Sequence, residues 1–330
     1  MATSWLGRTG VRVSAVGLGT MSFGGDADEA EARRMFDACR DAGVNLFDCA
    51  DVYAKGASEQ ILGRLVRDCR DEVVITTKAY FPTGPGPNSR GASRYHLVRA
   101  VEASLRRLGT DRIDLFFLHR FDDATALDET LRAVEDLVRA GKVLYPAVSN
   151  FSAWQTMKAV GIAARQGLQP IVATQPMYNL YKRTAEIEIL PMARSEGLAV
   201  FPYSPLGGGL LTGKYGPGSR PSRGRIVDNP MYGVRYGADA AHDLAGRFAA
   251  LAADLGVHPV TLAVAWVAHH PAVTAPLIGG RNLEQLQPSL AAASLELTDE
   301  VYAAVSALSS QPPPATDRNE ESSAHNYGAR

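Results

Sequence analysis

No sign of charge predominates in this 330-residue chain. Lysine and arginine number 34 against 35 for aspartate and glutamate, a formal net charge of −1. So even a balance argues against a nucleic-acid or anionic-membrane binder. Cysteine is scarce: Cys39, Cys49 and Cys69 are odd in number and form no C-x-x-C pair. That removes a disulfide framework and dithiol exchange and fits reduced thiols in the cytoplasm. Histidines at metal-ligand spacing are missing as well, since His269 and His270 are adjacent and no H-x-x-x-H occurs, so no metal is expected. No apolar run approaches about 18 residues, and Met1 to Arg8 holds no apolar stretch before a small-residue cleavage site. The chain therefore reads as unsecreted and not membrane-spanning.

What is present is a rhythm. Short runs rich in valine, isoleucine, leucine and phenylalanine alternate with longer amphipathic segments, as in repeated βα units. The candidate strands are Val16–Leu18, Leu46–Asp48, Val73–Lys78, Asp114–His119, Val143–Ser149, Ile171–Gln175, Ala199–Tyr203 and Thr274–Ile278. Eight such units predict one α/β domain, a (β/α)₈ TIM barrel. Val98, Val101, Leu105 and Leu108 make one helical stripe, and Leu131, Val134, Leu137 and Val138 another, stopped by Gly109 and Gly141. Ser4–Leu6 and Val11–Val13 flank Arg8-Thr9-Gly10 and predict a β-hairpin cap on one barrel end. Two stretches break the pattern. From Gly213 to about Gly237 the chain is rich in glycine, proline and arginine, an extended loop after strand seven that reads as a functional lid or a mobile loop with no core of its own. Residues 309–330, opening Ser309-Ser310-Gln311-Pro312-Pro313-Pro314, read as a polar tail.

Chemistry in a parallel barrel collects where strands give way to the following loops. Strand two ends in Asp48, strand three in Lys78 and strand four in His119. Each has an ordinary explanation taken alone: a turn or cap residue, a lysine leaving the core, a structural histidine. Together they close three consecutive strands, and Tyr53 lies five residues past Asp48. An acid, a cation, an imidazole and a phenol converge on one rim.

These motifs, with Gly17-Leu18-Gly19-Thr20, Val148-Ser149-Asn150-Phe151, Tyr203-Ser204-Pro205-Leu206 and Ile278-Gly279-Gly280-Arg281, resemble the aldo-keto reductases over about residues 3 to 308. The likeness is to the subgroup that also includes bacterial sugar reductases and potassium-channel β subunits. The resemblance implies a catalytic tetrad of Asp48, Tyr53, Lys78 and His119 and a nicotinamide cofactor. Tyr53 would protonate the carbonyl oxygen as hydride arrives, Lys78 would lower its pKa, Asp48 would hold Lys78, and a neutral His119 would orient the substrate. Gly17-Leu18-Gly19-Thr20-Met21-Ser22 lacks the third glycine of a Rossmann fingerprint, so the cofactor would bind without that fold. The resemblance implies that Ser149, Asn150 and Gln175 bond the carboxamide and that Tyr203 stacks on the nicotinamide. It places further cofactor contacts at Gly19, Thr20 and Met21, at Ser204 and Leu206, from Gly208 to Lys214, and at Ile278, Gly279, Gly280 and Gln285. Arg281 suits a 2′-phosphate, which favours NADPH. Family members commonly carry Glu-Asn at the adenine, where this chain has Pro288-Ser289.

Gly208 to Lys214 imitates a phosphate-binding P-loop, but Tyr215 replaces the magnesium ligand and Gly216-Pro217-Gly218 prevents a helix. A glycosidase would need opposed carboxylates; Asp122-Asp123 supply one side, and Tyr203-Ser204-Pro205 supplies none. A cofactor-binding regulatory subunit would keep the same tetrad, and only turnover separates it from an enzyme. The expected partner is a small carbonyl substrate, an aldehyde or ketone, with no nucleic acid and no membrane. By analogy with sugar reductases a sugar-derived carbonyl is favoured. Its pocket would be walled by Met21, Phe23, Tyr80, Phe81 and Phe121, with Arg120, Asp122 and Asp123 available to hydroxyls or phosphate.

Overall fold

Strand residues buried on both faces can pair only inside a closed or covered sheet, and the apolar runs do so. The computed structural model describes residues 1–323. A hairpin, β1 (Thr3–Trp5) with β2 (Arg12–Ser14), precedes eight parallel strands among the described residues. These are β3 (Gly17–Gly19), β4 (Leu46–Asp48), β5 (Val74–Ala79), β6 (Ile113–Leu118), β7 (Val143–Ser149), β8 (Ala173–Gln175), β9 (Ala199–Val200) and β10 (Leu277–Ile278). Each pairs with the next, and β10 returns to β3. The ring closes where Thr274 N–H donates to Val200 O (2.9 Å) and Leu277 N–H to Pro202 O (2.8 Å). The chain is a (β/α)₈ barrel.

β9 is shorter than the run Ala199–Tyr203 because Pro202 has no N–H for the ladder. Tyr203 N–H still reaches Pro176 O at 3.0 Å, so the backbone stays aligned up to the strand end. Side chains alternate as the pleat requires. Leu115 and Phe117 point into the barrel with Leu46, Val74, Ala173 and Phe201, whereas Phe116 and Leu118 face the helices. Leu6 and Val13 from the hairpin join the interior cluster, each side chain worth roughly 1.5–3 kcal/mol once buried. Gly7, at φ +53°, presses so closely on Gly197 O and Val172 O (2.9 Å from an added Cβ) that no larger residue fits. The hairpin therefore plugs the end where β8 and β9 begin, opposite the strand ends that carry chemistry.

The helix Arg94–Leu108 starts at Ser93, whose hydroxyl accepts from His96 N–H, and stops at left-handed Gly109. Val101, Leu105 and Leu108 of the stripe are buried, Val98 sits at its edge, and Leu97, outside the expected stripe, is buried with them. Helix Leu127–Arg139 buries Leu131, Val134 and Leu137 in the same way.

The segment after strand seven departs from its sequence reading. It forms helices Arg225–Asp228 and Pro230–Tyr236, and Tyr215, Ile226, Tyr232 and Tyr236 are buried in a cluster with Leu210 and Leu211. The glycine and arginine content concealed an apolar set large enough to pack. In the tail, Asn319–Ser322 makes one turn; residues 324–330 lie outside the described part. No single described helix is long and apolar enough to cross a membrane, and the bent pair Asp239–Asp254 and Pro259–His269 that would qualify in sum packs into the core through Phe248 and Trp266.

Candidate active site

At the C-terminal mouth of the barrel lies a cavity of about 990 Å³. Its floor holds the ends of β4, β5 and β6. Lys78 is fully buried and donates from Nζ to Asp48 Oδ2 (2.6 Å) and to Cys49 O (2.7 Å). Asp48 in turn accepts at Oδ1 from Thr76 Oγ1 (2.6 Å) and Gln175 Nε2 (3.0 Å). A buried ion pair is tolerable only when its remaining valences are filled this way. Lys78 Nζ lies 5.2 Å from the Tyr53 ring centre, and the His119 ring stands edge-on to Tyr53 at 6.2 Å.

Burial and the Asp48 charge push the Tyr53 phenol well above its usual pKa. The net direction is opposite to the lowered pKa expected from Lys78, because desolvation penalises the phenolate more than that ammonium, shared with Asp48, favours it. Burial, aided by the Lys78 charge, pushes His119 down to about 3, so its imidazole is neutral at any working pH. The floor thus presents a protonated phenol and a neutral imidazole, with Asp48, Tyr53 and His119 all lining the cavity.

One wall runs through Ser149, Asn150, Gln175 and Tyr203. Asn150, at φ +55°, donates from Nδ2 to His119 O (3.0 Å) and accepts from Tyr203 Oη (2.7 Å), which ties β7 and β9 to the histidine. The far end holds Ser204, Leu206, Gly208, Lys214, Ile278, Gly279, Gly280, Arg281 and Gln285, with Gly19 and Met21 beside them. Lys214 is pushed below its usual pKa by burial and by the nearby Arg281 and Arg225. Arg281 pairs with Asp26 at 3.3 Å.

Several predicted contacts stand elsewhere. Phe23 is fully buried in the core because the backbone turns back on itself there, Phe23 N–H donating to Thr20 O. Thr20 is also fully buried, its hydroxyl spent on Asp48 O and Ser58. Tyr80 packs edge-on against Phe81, and Phe121 against Phe151 and Trp154; neither lines the cavity, although Met21, Phe81 and Arg120 do. Asp122 is consumed by the Ala92 and Ala124 amides and the Thr125 hydroxyl. The sequence reading missed Gly224, Arg225, Met231, Tyr232 and Arg235, which cover the mouth, and His258 and Glu284 at the far end; Ser289, noted in the sequence at the adenine position, lines the cavity too. Spacing did hold a signal for the cover: Tyr232 and Tyr236 are four apart, one face of a helix.

The cavity also suits an elongated, anionic ligand. Gly208 (φ +66°) and Gly209 (φ +102°) bring bare backbone to its wall, three cations gather at one end, and the buried hydroxyls of Ser22 and Ser289 have no partner within the protein. Those features fit a nicotinamide dinucleotide lying from floor to far end.

A barrel with acid, phenol, ammonium and imidazole at its strand ends, and a dinucleotide-sized groove beside them, defines a barrel oxidoreductase. The sequence pattern of the aldo/keto reductase family matches residues 15–310, and the chain belongs to that family. It is 39% identical to an uncharacterized oxidoreductase, YrpG, of Bacillus subtilis (strain 168), across 91% of this chain and 94% of that protein. It is also 37% identical to a probable voltage-gated potassium channel subunit beta of Oryza sativa subsp. japonica (94% of this chain, 98% of that protein). A protein of the same description from Arabidopsis thaliana is 38% identical (87% and 89%).

Proposed function

We propose that this chain is an NADPH-dependent reductase of small aldehydes or ketones, with sugar-derived carbonyls the favoured class and Tyr53 the proton donor. The observation that carries the reading is the geometry of the cavity floor: the Tyr53 and His119 rings, 6.2 Å apart, stand over a buried Lys78–Asp48 pair, with burial favouring the neutral phenol and the neutral imidazole. A bound nicotinamide supplies the hydride. As negative charge grows on the substrate oxygen, Tyr53 Oη gives up its proton, and the alkoxide, a stronger base than any phenolate, takes it. His119 offers its neutral ring to the same oxygen and fixes its angle. Lys78 stabilises the phenolate left behind, and Asp48 keeps that ammonium below the ring.

Lys214, Arg225 and Arg281 support an anionic dinucleotide, whose phosphates would relieve cations crowded enough to depress one of them, and Arg281 at the far end supports NADPH over NADH through a 2′-phosphate. Gln175 and Tyr203 would hold the nicotinamide end, with Ser149 and Asn150 bracing them. Met21 and Phe81 beside Arg120 support a substrate with both apolar and hydroxyl-bearing parts. The cavity's carboxylates among the described residues are Asp48, already paired, and Glu284, which does not favour glycoside hydrolysis.

The names of the plant relatives support a second reading, a cofactor-holding regulatory subunit. One experiment separates the two. NADPH absorbance is followed with aromatic aldehydes, dicarbonyls, glyceraldehyde, keto-sugars and keto-steroids, using wild type and Tyr53→Phe. The expected result is turnover by wild type and its near loss in Tyr53→Phe, with NADPH binding retained. Wild-type kcat in Tyr53→Phe would refute the donor assignment, turnover of steroids alone would refute the sugar reading, and no turnover at all would favour the subunit.

A further inference from the structure

Directly after Tyr53 the backbone is left-handed at three residues in succession, Ala54 (φ 45°), Lys55 (φ 56°) and Gly56 (φ 93°). Side-chain-bearing residues keep such a conformation only where their surroundings over-determine it. The neighbour pressing on this turn is Arg107. A Cβ added to Gly56 would lie 2.7 Å from Arg107 Cδ and 3.0 Å from Nε, so the arginine rests directly on the Gly56 backbone. Arg107, near the end of the helix Arg94–Leu108, donates from Nε to Glu59 Oε2 (2.6 Å) and from Nη2 to Ser104 Oγ (3.2 Å). Glu59, in the first turn of the helix Ala57–Val66, is fully buried, and its other oxygen accepts from Thr77 Oγ1 at 2.6 Å. Thr77 immediately precedes Lys78. A buried ion pair adds little net stability compared with an apolar pair of the same shape, and nothing in proton donation itself uses this one.

We propose that the Glu59–Arg107 pair is a positioning device that holds the Tyr53–Gly56 turn left-handed and so aims the Tyr53 phenol over Lys78. The path is continuous: Lys78 to Thr77 along β5, Thr77 to Glu59 and Glu59 to Arg107 by hydrogen bonds, Arg107 to Gly56 by contact, and Gly56 back to Tyr53 along the chain. Above it, Lys78 Nζ lies under the Tyr53 ring, which closes the loop. The two groups that must cooperate in proton transfer are therefore fixed to each other twice, once through the site and once from beneath. Arginine is required because its planar fork meets Glu59 and Ser104 from separate nitrogens while its stem covers Gly56. Lysine would keep the charge and lose the fork.

The inference rests on the reading of Tyr53 as proton donor, and its test includes a measurement that does not. In Arg107→Lys, kcat is expected to fall about tenfold, since small misplacements of a reacting group are costly. Carbonyl KM and the NADPH dissociation constant should stay within about twofold, and the solvent isotope effect on kcat should rise as proton transfer becomes limiting. Glu59→Gln, isosteric and able to keep the Thr77 contact, should show the same pattern more weakly, and it serves if Arg107→Lys does not fold. Unchanged kcat, or a loss tracking KM or cofactor affinity alone, overturns the proposal. If wild type reduces no carbonyl, hydrogen exchange of the Ala54–Gly56 amides decides: it should quicken in Arg107→Lys relative to the helix Arg94–Leu108, and equal exchange in both proteins overturns the proposal.

Discussion

Asp51 lies two residues before Tyr53, only 2% exposed, and neither carboxylate oxygen has a side-chain partner. Burial first, and then the Glu59 charge, push its carboxyl from 3.8 up to about 7, only partly opposed by Arg107 and Lys78. A group with a raised folded-state pKa keeps its proton in the native protein at a pH where the unfolded chain has released it. Stability is therefore lost as pH rises from about 4 to about 7 and is flat above that, with a slope of about 1.36 kcal/mol per pH unit. Between pH 5 and pH 7 this amounts to about 2 kcal/mol for this one residue, the slope easing as the folded group begins to ionise. An asparagine in its place would occupy the same volume and carry no titrating group. The stabilisation of Asp51→Asn over wild type should therefore be about 2–3 kcal/mol larger at pH 8 than at pH 5. Urea denaturation of both proteins at the two pH values, followed by circular dichroism, measures it. A variant whose stability difference from wild type is the same at pH 5 and pH 8 would show that Asp51 is not held protonated, and the argument from its burial would fail.

Two further expectations follow from the charges of the site. Arg281→Ala should weaken NADPH by roughly 1.5–3 kcal/mol through loss of a charge-assisted bond and weaken NADH much less; fluorescence titration giving equal losses would count against a 2′-phosphate at Arg281. His119, depressed to about 3, is neutral throughout the working range, so kcat should show no step between pH 5 and pH 8 attributable to imidazole. Its unfolded form takes a proton as pH falls through about 6.5, so its contribution to stability is complete above that pH and is lost toward pH 3. A kcat inflection near pH 6.5 that disappears in His119→Gln would refute the neutral assignment.

The barrel was legible because strands buried on both faces read as continuous apolar runs, and each was followed by a helix with its own stop residue. Gly109 and Gly141 sit at positive φ just past their helices, where the sequence put the breaks. Strand length was less legible: Pro202 and Pro276 cut β9 and β10 short, although hydrogen bonds keep the chain aligned beyond them. At the site, Asp48, Lys78 and His119 could be placed on one rim because ionisable groups ended three consecutive apolar strands. Phe23 could not, since its inward direction depends on a local turn. The direction of the Tyr53 shift was also hidden, because sequence reveals the neighbouring lysine but neither the depth of burial nor the Asp48 bond that neutralises it. The cover over the mouth was misread for a related reason: glycine, proline and arginine dominate its composition, and three tyrosines with Ile226 do its packing.

Hydrogen-bond capacity narrows which groups remain for a ligand. Lys78 has three N–H donors, and two are committed to Asp48 and Cys49 O, so one is left for the side where Tyr53 lies. Gln175 spends an amide hydrogen on Asp48, which leaves its Oε1 as an acceptor. Ser149 donates to Gln175 O and keeps only acceptor capacity, and that is shared with Asn150 Nδ2. Asn150 is occupied at both ends, by His119 O and Tyr203. The nicotinamide wall therefore offers mainly an acceptor at Gln175, suited to the N–H of a carboxamide, while Asn150 acts as a brace between the histidine and the tyrosine. The buried hydroxyls of Ser22 and Ser289, both lining the cavity, have no partner within the protein. A buried hydroxyl without a partner costs roughly 1–3 kcal/mol, a cost that a ligand bonding to it removes. Ser289 lines the cavity beside Pro288, whose carbonyl accepts from Thr261 Oγ1, so the unpartnered Ser289 hydroxyl is the donor that this pair of residues leaves for a ligand.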